Sequence, residues 1–99
     1  MRAGKVIGRV VCTAKYPTLE GKKMLMLLPL SWREVEDAIN NGAALPAAKK
    51  KSILALDAVG AGAGEYVFYV SSKEACMAFE DEPVCHNAIV GIIDGVFIE

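Results

Sequence analysis

From Lys5 to Lys15 the chain alternates: Val6, Val10, Cys12 and Ala14 fall on one side, Arg9, Thr13 and Lys15 on the other. A period of two rich in β-branched residues predicts a strand with one wetter face. Tyr16-Pro17-Thr18-Leu19-Glu20-Gly21 follows as a turn, since proline fixes φ and glycine tolerates positive φ. Met24 to Leu30 is apolar throughout and short, which predicts a strand buried on both faces. The pattern then changes period. Ser31 and Glu34 have the spacing of a capping box, Trp32, Val35 and Ile39 recur at helical intervals, and Asn40-Asn41-Gly42 is a helix stop.

A loop with Pro46 and Lys49-Lys50-Lys51 leads to a third strand, Ile53 to Ala58. Gly60, Gly62 and Gly64 punctuate the next loop. A fourth strand, Glu65 to Val70, has Tyr66, Phe68 and Val70 alternating. Ser71 to Phe79 reads as a short helix, with a glutamate three residues after its serine cap, and Asp81-Glu82-Pro83 breaks it. The last run, Ala88 to Ile98, is β-prone and apolar on both faces. Such a strand must be covered twice, by the body of the domain and by something else; Ile92 and Val96 are the expected seam residues. Five strands, one or two short helices and frequent turns predict a mainly β fold, a small closed or nearly closed barrel. There is no internal repeat, and residues 1–99 read as a single domain.

Composition sharpens this picture. Hydrophobic residues make up 54% of the 99 positions, against a usual ~45–50% in a count that also includes glycine. One small core cannot hide that much apolar surface, so burial against another subunit is the expected outlet. A net charge of −1 with 23% charged residues gives no electrostatic case for nucleic acid or an anionic membrane. The triple lysine reads as a solvated loop. No stretch approaches the ~18–20 apolar residues of a membrane-spanning helix, and Met1-Arg2-Ala3-Gly4-Lys5 enters a strand directly, so neither anchor nor secretory signal is expected. Three cysteines without a spacing framework fit reduced thiols in a cytosol.

Little in the sequence points to chemistry. Gly60-x-Gly62-x-Gly64 lacks the Gly-x-Gly-x-x-Gly spacing of a dinucleotide loop, and the β-run Tyr66 to Val70 follows it where a helix N-terminus is needed. A tight turn is the simpler reading. Cys85 and His86 are sequence neighbours, which on a strand point to opposite faces, so a nucleophilic dyad is not expected. Cys12, Cys76, Cys85 and His86 contain no Cys-x-x-Cys pair, and no metal or other cofactor is expected. Asp57 and Asp94 lie in or beside apolar β-sequence, where a carboxylate most often accepts backbone N–H bonds at a turn. Trp32 is expected in the core or an interface. No catalytic residue emerges.

Several blocks resemble the EutN/CcmL family, the pentameric vertex proteins of carboxysomes and other bacterial microcompartments. They are Met1 to Val11, Thr13-Ala-Lys15, Leu19-Glu-Gly-Lys-Lys23, Leu56-Asp-Ala-Val-Gly-Ala-Gly-Ala-Gly-Glu65 and Ala88-Ile-Val-Gly-Ile-Ile-Asp94, in the family's order and nearly end to end apart from about 31–52. The resemblance implies an OB-like five-stranded barrel. It also implies a structural homopentamer at the vertices of a cytoplasmic microcompartment shell, beside hexameric shell proteins. By the same resemblance Gly60, Ala61, Gly62, Ala63 and Gly64 form a pore or subunit-contact loop, and Thr13, Lys15 and Glu20 lie at contacts. Ser71-Ser-Lys-Glu-Ala-Cys76, Pro83-Val-Cys-His86 and a longer 31–52 segment depart from the family pattern. The alternative is an OB-type nucleic-acid-binding module, which requires Tyr66, Phe68 and Tyr69 on one exposed basic face.

Overall fold

The computed structural model describes residues 1–11, 23–44, 51–71 and 87–98. Five strands and one helix follow each other as β1 (Arg2–Val10), β2 (Lys23–Leu30), α1 (Trp32–Asn41), β3 (Ile53–Asp57), β4 (Tyr66–Ser71) and β5 (Asn87–Ile92). They form a closed barrel in the order β1-β2-β3-β5-β4. Every neighbouring pair is antiparallel except β3 and β5, which run parallel through Leu56↔Ala88 and Asp57↔Ile89. Closure leaves no free sheet edge along the paired residues, which removes the commonest route to edge-to-edge aggregation.

The barrel interior is filled by Val6, Leu25, Leu27, Ala55, Val67, Tyr69 and Ile89, with Ala61 as a stopper at one end. A second layer lies on the outer face beneath α1, where Ala3, Leu28, Leu30 and Val35 pack with Ile39, Tyr66, Ile93 and Val96. β2 thus places Leu25 and Leu27 inside and Leu28 and Leu30 outside, all buried, as its unbroken apolar sequence predicts. The helix is also where the sequence places it. Ser31 Oγ accepts the Glu34 N–H at 3.1 Å, and Glu34 Oε1 accepts the Ser31 N–H at 2.8 Å. Gly42 closes α1 in the left-handed region at φ 64°, a conformation that disfavours any residue with a Cβ.

Three sequence expectations are corrected. The first strand spans Arg2–Val10 rather than Lys5–Lys15, and it carries a bulge: Val6 pairs with Leu27 and Gly8 with Met26, leaving Ile7 as the extra residue, 52% exposed. Beyond a bulge the alternation changes sides. Arg9 therefore stands opposite the core residue Leu25, and Val10 opposite Met24. Val6 and Val10 do not share a face, and Arg9 is turned to the interior side at the mouth of the barrel. The last strand ends at Ile92, not Ile98. Ile93 N–H still donates to the Tyr66 carbonyl of β4 at 2.8 Å, after which residues 94–98 leave the sheet and run against α1, with Ile93 and Val96 half-buried in the layer beneath the helix. The second cover demanded by the apolar sequence comes in part from the chain's own helix.

Ser71, expected as a helix cap, is instead the last residue of β4, with its Oγ donating to Asn87 Oδ1 at 2.8 Å. The rest of the helix expected over 71–79 lies outside the described residues.

Candidate subunit-contact site

The glycine loop between β3 and β4 is held at both ends. Lys23 and Asp57 are directly opposite on β2 and β3, so their side chains meet: Lys23 Nζ lies 3.4 Å from Asp57 Oδ2. The ammonium also donates to the Ala61 carbonyl. The other carboxylate oxygen of Asp57 accepts the Val59 and Gly60 N–H groups, each at 3.1 Å, which is the turn role expected for this residue. Asp94 is exposed. At the far side of the loop, Glu65 Oε1 accepts the Gly62 N–H at 2.6 Å, and the Glu65 N–H returns to the Gly62 carbonyl at 3.1 Å. Gly64 N–H donates to the Val6 carbonyl, and Val6 N–H to the Glu65 carbonyl, both at 2.9 Å.

This arrangement decides what the loop can do. Gly60 and Gly64 adopt φ of 84° and 85°, so their glycines serve backbone conformation. Ala61 is 0% exposed and plugs the barrel, whereas Gly60, Ala63 and Gly64 face solvent. The N–H groups of Val59, Gly60, Gly62, Gly64 and Glu65 all donate to acceptors of the same chain. They do not form the convergent array that cradles a phosphate. The loop offers a stiff, small-residue surface suited to close approach by another backbone.

Beside the loop is a half-open cavity of about 360 Å³, lined by Val6, Gly8, Arg9, Lys23, Leu25, Gly62 and Ala63. At the other end of the barrel the C-terminal segment is fastened to α1: Asn40 Nδ2 donates to the Val96 carbonyl at 3.1 Å, and Ile98 N–H donates to Glu36 Oε2 at 2.7 Å. Between those two anchors Phe97 is 84% exposed. Ile92, at the end of β5, is partly exposed, and Val96 is half-buried under the helix. The two are not joined in one strand face.

Thr13, Lys15 and Glu20 lie outside the described residues, as do Cys12, Cys76, Cys85 and His86. Sequence reasoning missed the placement of Arg9 and the exposure of Phe97. Adjacent Val6 and Ile7 followed by Gly8 break the alternation, and a glycine inside a strand is a recognised sign of a bulge. That signal was available for Arg9; nothing comparable marks Phe97.

The aromatic face required for base stacking does not form. Tyr69 is 2% exposed inside the barrel, while Tyr66 packs on the outer layer with Lys5 Nζ 5.4 Å from its ring centroid. Among the described residues, no helix is long and apolar enough to cross a membrane.

The sequence model of the family described as "Ethanolamine utilisation protein EutN/carboxysome" matches residues 1–94. The chain belongs to the EutN/CcmL family. The bacterial microcompartment shell vertex protein GrpN of Rhodospirillum rubrum is 34% identical over 97 residues, covering 97% of this chain and 96% of GrpN. The vertex protein EutN of Salmonella typhimurium is 35% identical over 98 residues, covering 97% and 86%. In three dimensions the barrel matches the GrpN pentameric microcompartment shell protein with a TM-score of 0.77 at 31% identity, over 100% of both chains. It matches CcmL of Gloeobacter violaceus with a TM-score of 0.74 at 32% identity, over 100% of this chain and 91% of the other. The EutN/CcmL barrel and its full-length correspondence agree with the resemblance drawn from the sequence blocks.

Proposed function

We propose that this protein is a structural subunit of a bacterial microcompartment shell, in which five copies close into a ring that caps a vertex. Its function is geometric. Hexameric shell proteins tile flat facets, and a five-fold unit introduces the curvature that closes them. The whole chain acts as one vertex domain, with no catalytic step and no nucleic-acid partner, in the shell of a compartment enclosed in the cytoplasm.

The observation that carries this reading is the match, over the full length of both chains, to a shell protein described as pentameric. The surface agrees with it: Ile7, Val11, Val59, Ile92, Phe97 and Ile98 are exposed apolar side chains on a barrel of 99 residues. A ring requires two different complementary patches on each subunit, and these side chains are distributed over more than one region of the barrel. The glycine loop supplies a further small-residue surface for contact.

Native mass spectrometry of the purified protein tests the proposal. A mass of five subunits that persists on dilution is the expected result, and a monomer at micromolar concentration overturns it. Co-expression with a hexameric shell protein tests the partner: closed particles are expected with the vertex protein, and unsealed shells without it.

A further inference from the structure

We propose that Asn41–Gly42 is a site of spontaneous deamidation gated by the C-cap of α1, and that its conversion to aspartate or isoaspartate unfastens the C-terminal segment from the helix.

The chain has three asparagines, Asn40, Asn41 and Asn87. Only Asn41 precedes a glycine, which has no Cβ to keep its backbone nitrogen away from the neighbouring side chain. In the reaction the Gly42 nitrogen attacks Cγ of Asn41. A Cγ–N bond forms, the Cγ–Nδ2 bond breaks, and ammonia leaves with the proton that Gly42 gives up. Water then opens the cyclic succinimide. Attack at Cγ gives aspartate, and attack at the main-chain carbonyl carbon gives isoaspartate, in which the chain runs through the side chain. The sum is amide plus water to carboxylate plus ammonium, with no change of oxidation state.

The fold holds both reacting groups back. Gly42, at φ 64° and ψ 25°, donates its N–H to the Asp37 carbonyl, and the Ala43 N–H donates to the same oxygen at 3.2 Å. Asn41 Nδ2 donates to Asp37 Oδ1 at 3.5 Å. While the C-cap is closed, the nucleophile is committed to one oxygen of Asp37 and the amide to another. Cyclisation therefore requires the last turn to open.

That turn is the weakly held end of α1. Val35 is the one buried residue of the helix, whereas Asn40, Asn41, Gly42 and Ala43 are all exposed. No basic side chain stands in the last turn to offset the helix dipole, and asparagine is a poor helix former. Helix ends of this kind open locally far more often than the fold unfolds. The gate thus admits the reaction slowly.

Conversion changes what the turn can hold. A carboxylate at position 41 stands one turn from the Asp37 carboxylate and at the negative end of the helix dipole, and both repel it. The hydrogen bond from Asn41 to Asp37 is lost, and isoaspartate also adds a methylene to the backbone between α1 and its cap. The adjacent residues carry the clasp on the C-terminal segment. Asn40 Nδ2 donates to the Val96 carbonyl at 3.1 Å, and Ile39 packs in the layer that holds Ile93 and Val96. Fraying of the last turn releases this clasp, while the bond from the Ile98 N–H to Glu36, one turn further in, remains.

The test follows the full chain at neutral pH and physiological temperature, folded and in guanidinium chloride. Peptide mass spectrometry reports acid in place of amide at position 41, and electron-transfer fragmentation separates aspartate from isoaspartate. Acid is expected to accumulate about 3- to 300-fold more slowly in the folded chain than in the denatured one, the protection of a helix end that opens locally. Less protection overturns the gate. More overturns the site, since the reaction would then require the whole domain to unfold. Asn41→Gln is expected to show no acid at position 41 over the same period, and conversion at a rate comparable to wild type overturns the succinimide route. As a second measurement, Asn41→Asp reproduces one product. Chymotrypsin cleavage after Phe97 is expected to be about 2- to 10-fold faster than in wild type, because the protease reads the population of the released segment, with Asn41→Gln unchanged. Equal rates in Asn41→Asp and wild type overturn the link to the C-terminal segment, and faster cleavage in Asn41→Gln as well overturns the role of the new charge.

Discussion

Gly91 offers a sharp test of the packing across β4 and β5. It pairs with Phe68 beside a bulge, since Phe68↔Gly91 is followed by Tyr69↔Ile89 and Val90 is the extra residue. A Cβ built at Gly91 would lie 1.8, 2.0 and 2.7 Å from Cε1, Cζ and Cδ1 of the Phe68 ring. The ring therefore occupies the space of the missing side chain, a device known to shield glycine in sheets. Gly91 is not among the positive-φ glycines, so alanine meets a steric obstacle and not a backbone one. In Gly91→Ala the ring must swing away, and displacing a packed side chain costs about 1–3 kcal/mol. Alanine in a strand recovers about 0.5–1 kcal/mol through the unfolded state. The two terms together leave a net loss of roughly 0–2.5 kcal/mol. With Phe68→Ala already present the obstacle is gone, and Gly91→Ala should become neutral or stabilising. The assay is denaturant unfolding of the four proteins at one protomer concentration, because subunit association contributes to apparent stability. Native mass on each variant separates assembly loss from barrel loss. A coupling energy below about 0.5 kcal/mol, the level of independent sites, would falsify the account of the ring over the glycine.

Two further outcomes follow from hydrogen bonds that the structure shows. Ser31→Ala removes the acceptor for the Glu34 N–H and should cost about 1 kcal/mol in denaturant unfolding, with Ser31→Asp largely retaining stability; equal stability of Ala and Ser would mean the cap is not used. Asp57→Ala strips the acceptor from two loop N–H groups and the partner from Lys23. It should cost about 2–4 kcal/mol, and the glycine loop should become sensitive to limited proteolysis. Asp57→Asn keeps an oxygen for the loop and should lose clearly less; if Asn and Ala behave alike, the carbonyl-type acceptor at the turn is not what holds the loop.

Much of the fold is legible in the sequence because it is decided by local rules. The capping box at Ser31 and Glu34, the left-handed Gly42 and the double burial of Met24 to Leu30 each depend on residues a few positions apart. The turn role of Asp57 is equally local, since its acceptors reach only to Val59 and Gly60. The family blocks are local in the same sense, and they led to the EutN/CcmL assignment that the full-length match bears out. The five-residue glycine loop was legible as a unit. That Ala61 turns inward while Ala63 faces out was not, because identical residues two apart in an irregular loop carry no periodicity to read.

Tertiary structure decided the rest. A bulge is defined by two strands, so the side on which Arg9 stands depends on β2 supplying Met26 and Leu27 where β1 supplies Gly8, Ile7 and Val6. The end of β5 was equally undetermined. Ala88 to Ile98 is β-prone throughout, yet the strand ends at Ile92, the chain leaves the barrel after Ile93, and Ile93 and Val96 are half-buried in the layer beneath α1 instead. Apolar sequence fixes that such residues will be covered; it does not fix by what. The choice between sheet, helix and neighbouring subunit is a comparison of packing energies among segments far apart in the chain, and within this segment it leaves Phe97 84% exposed.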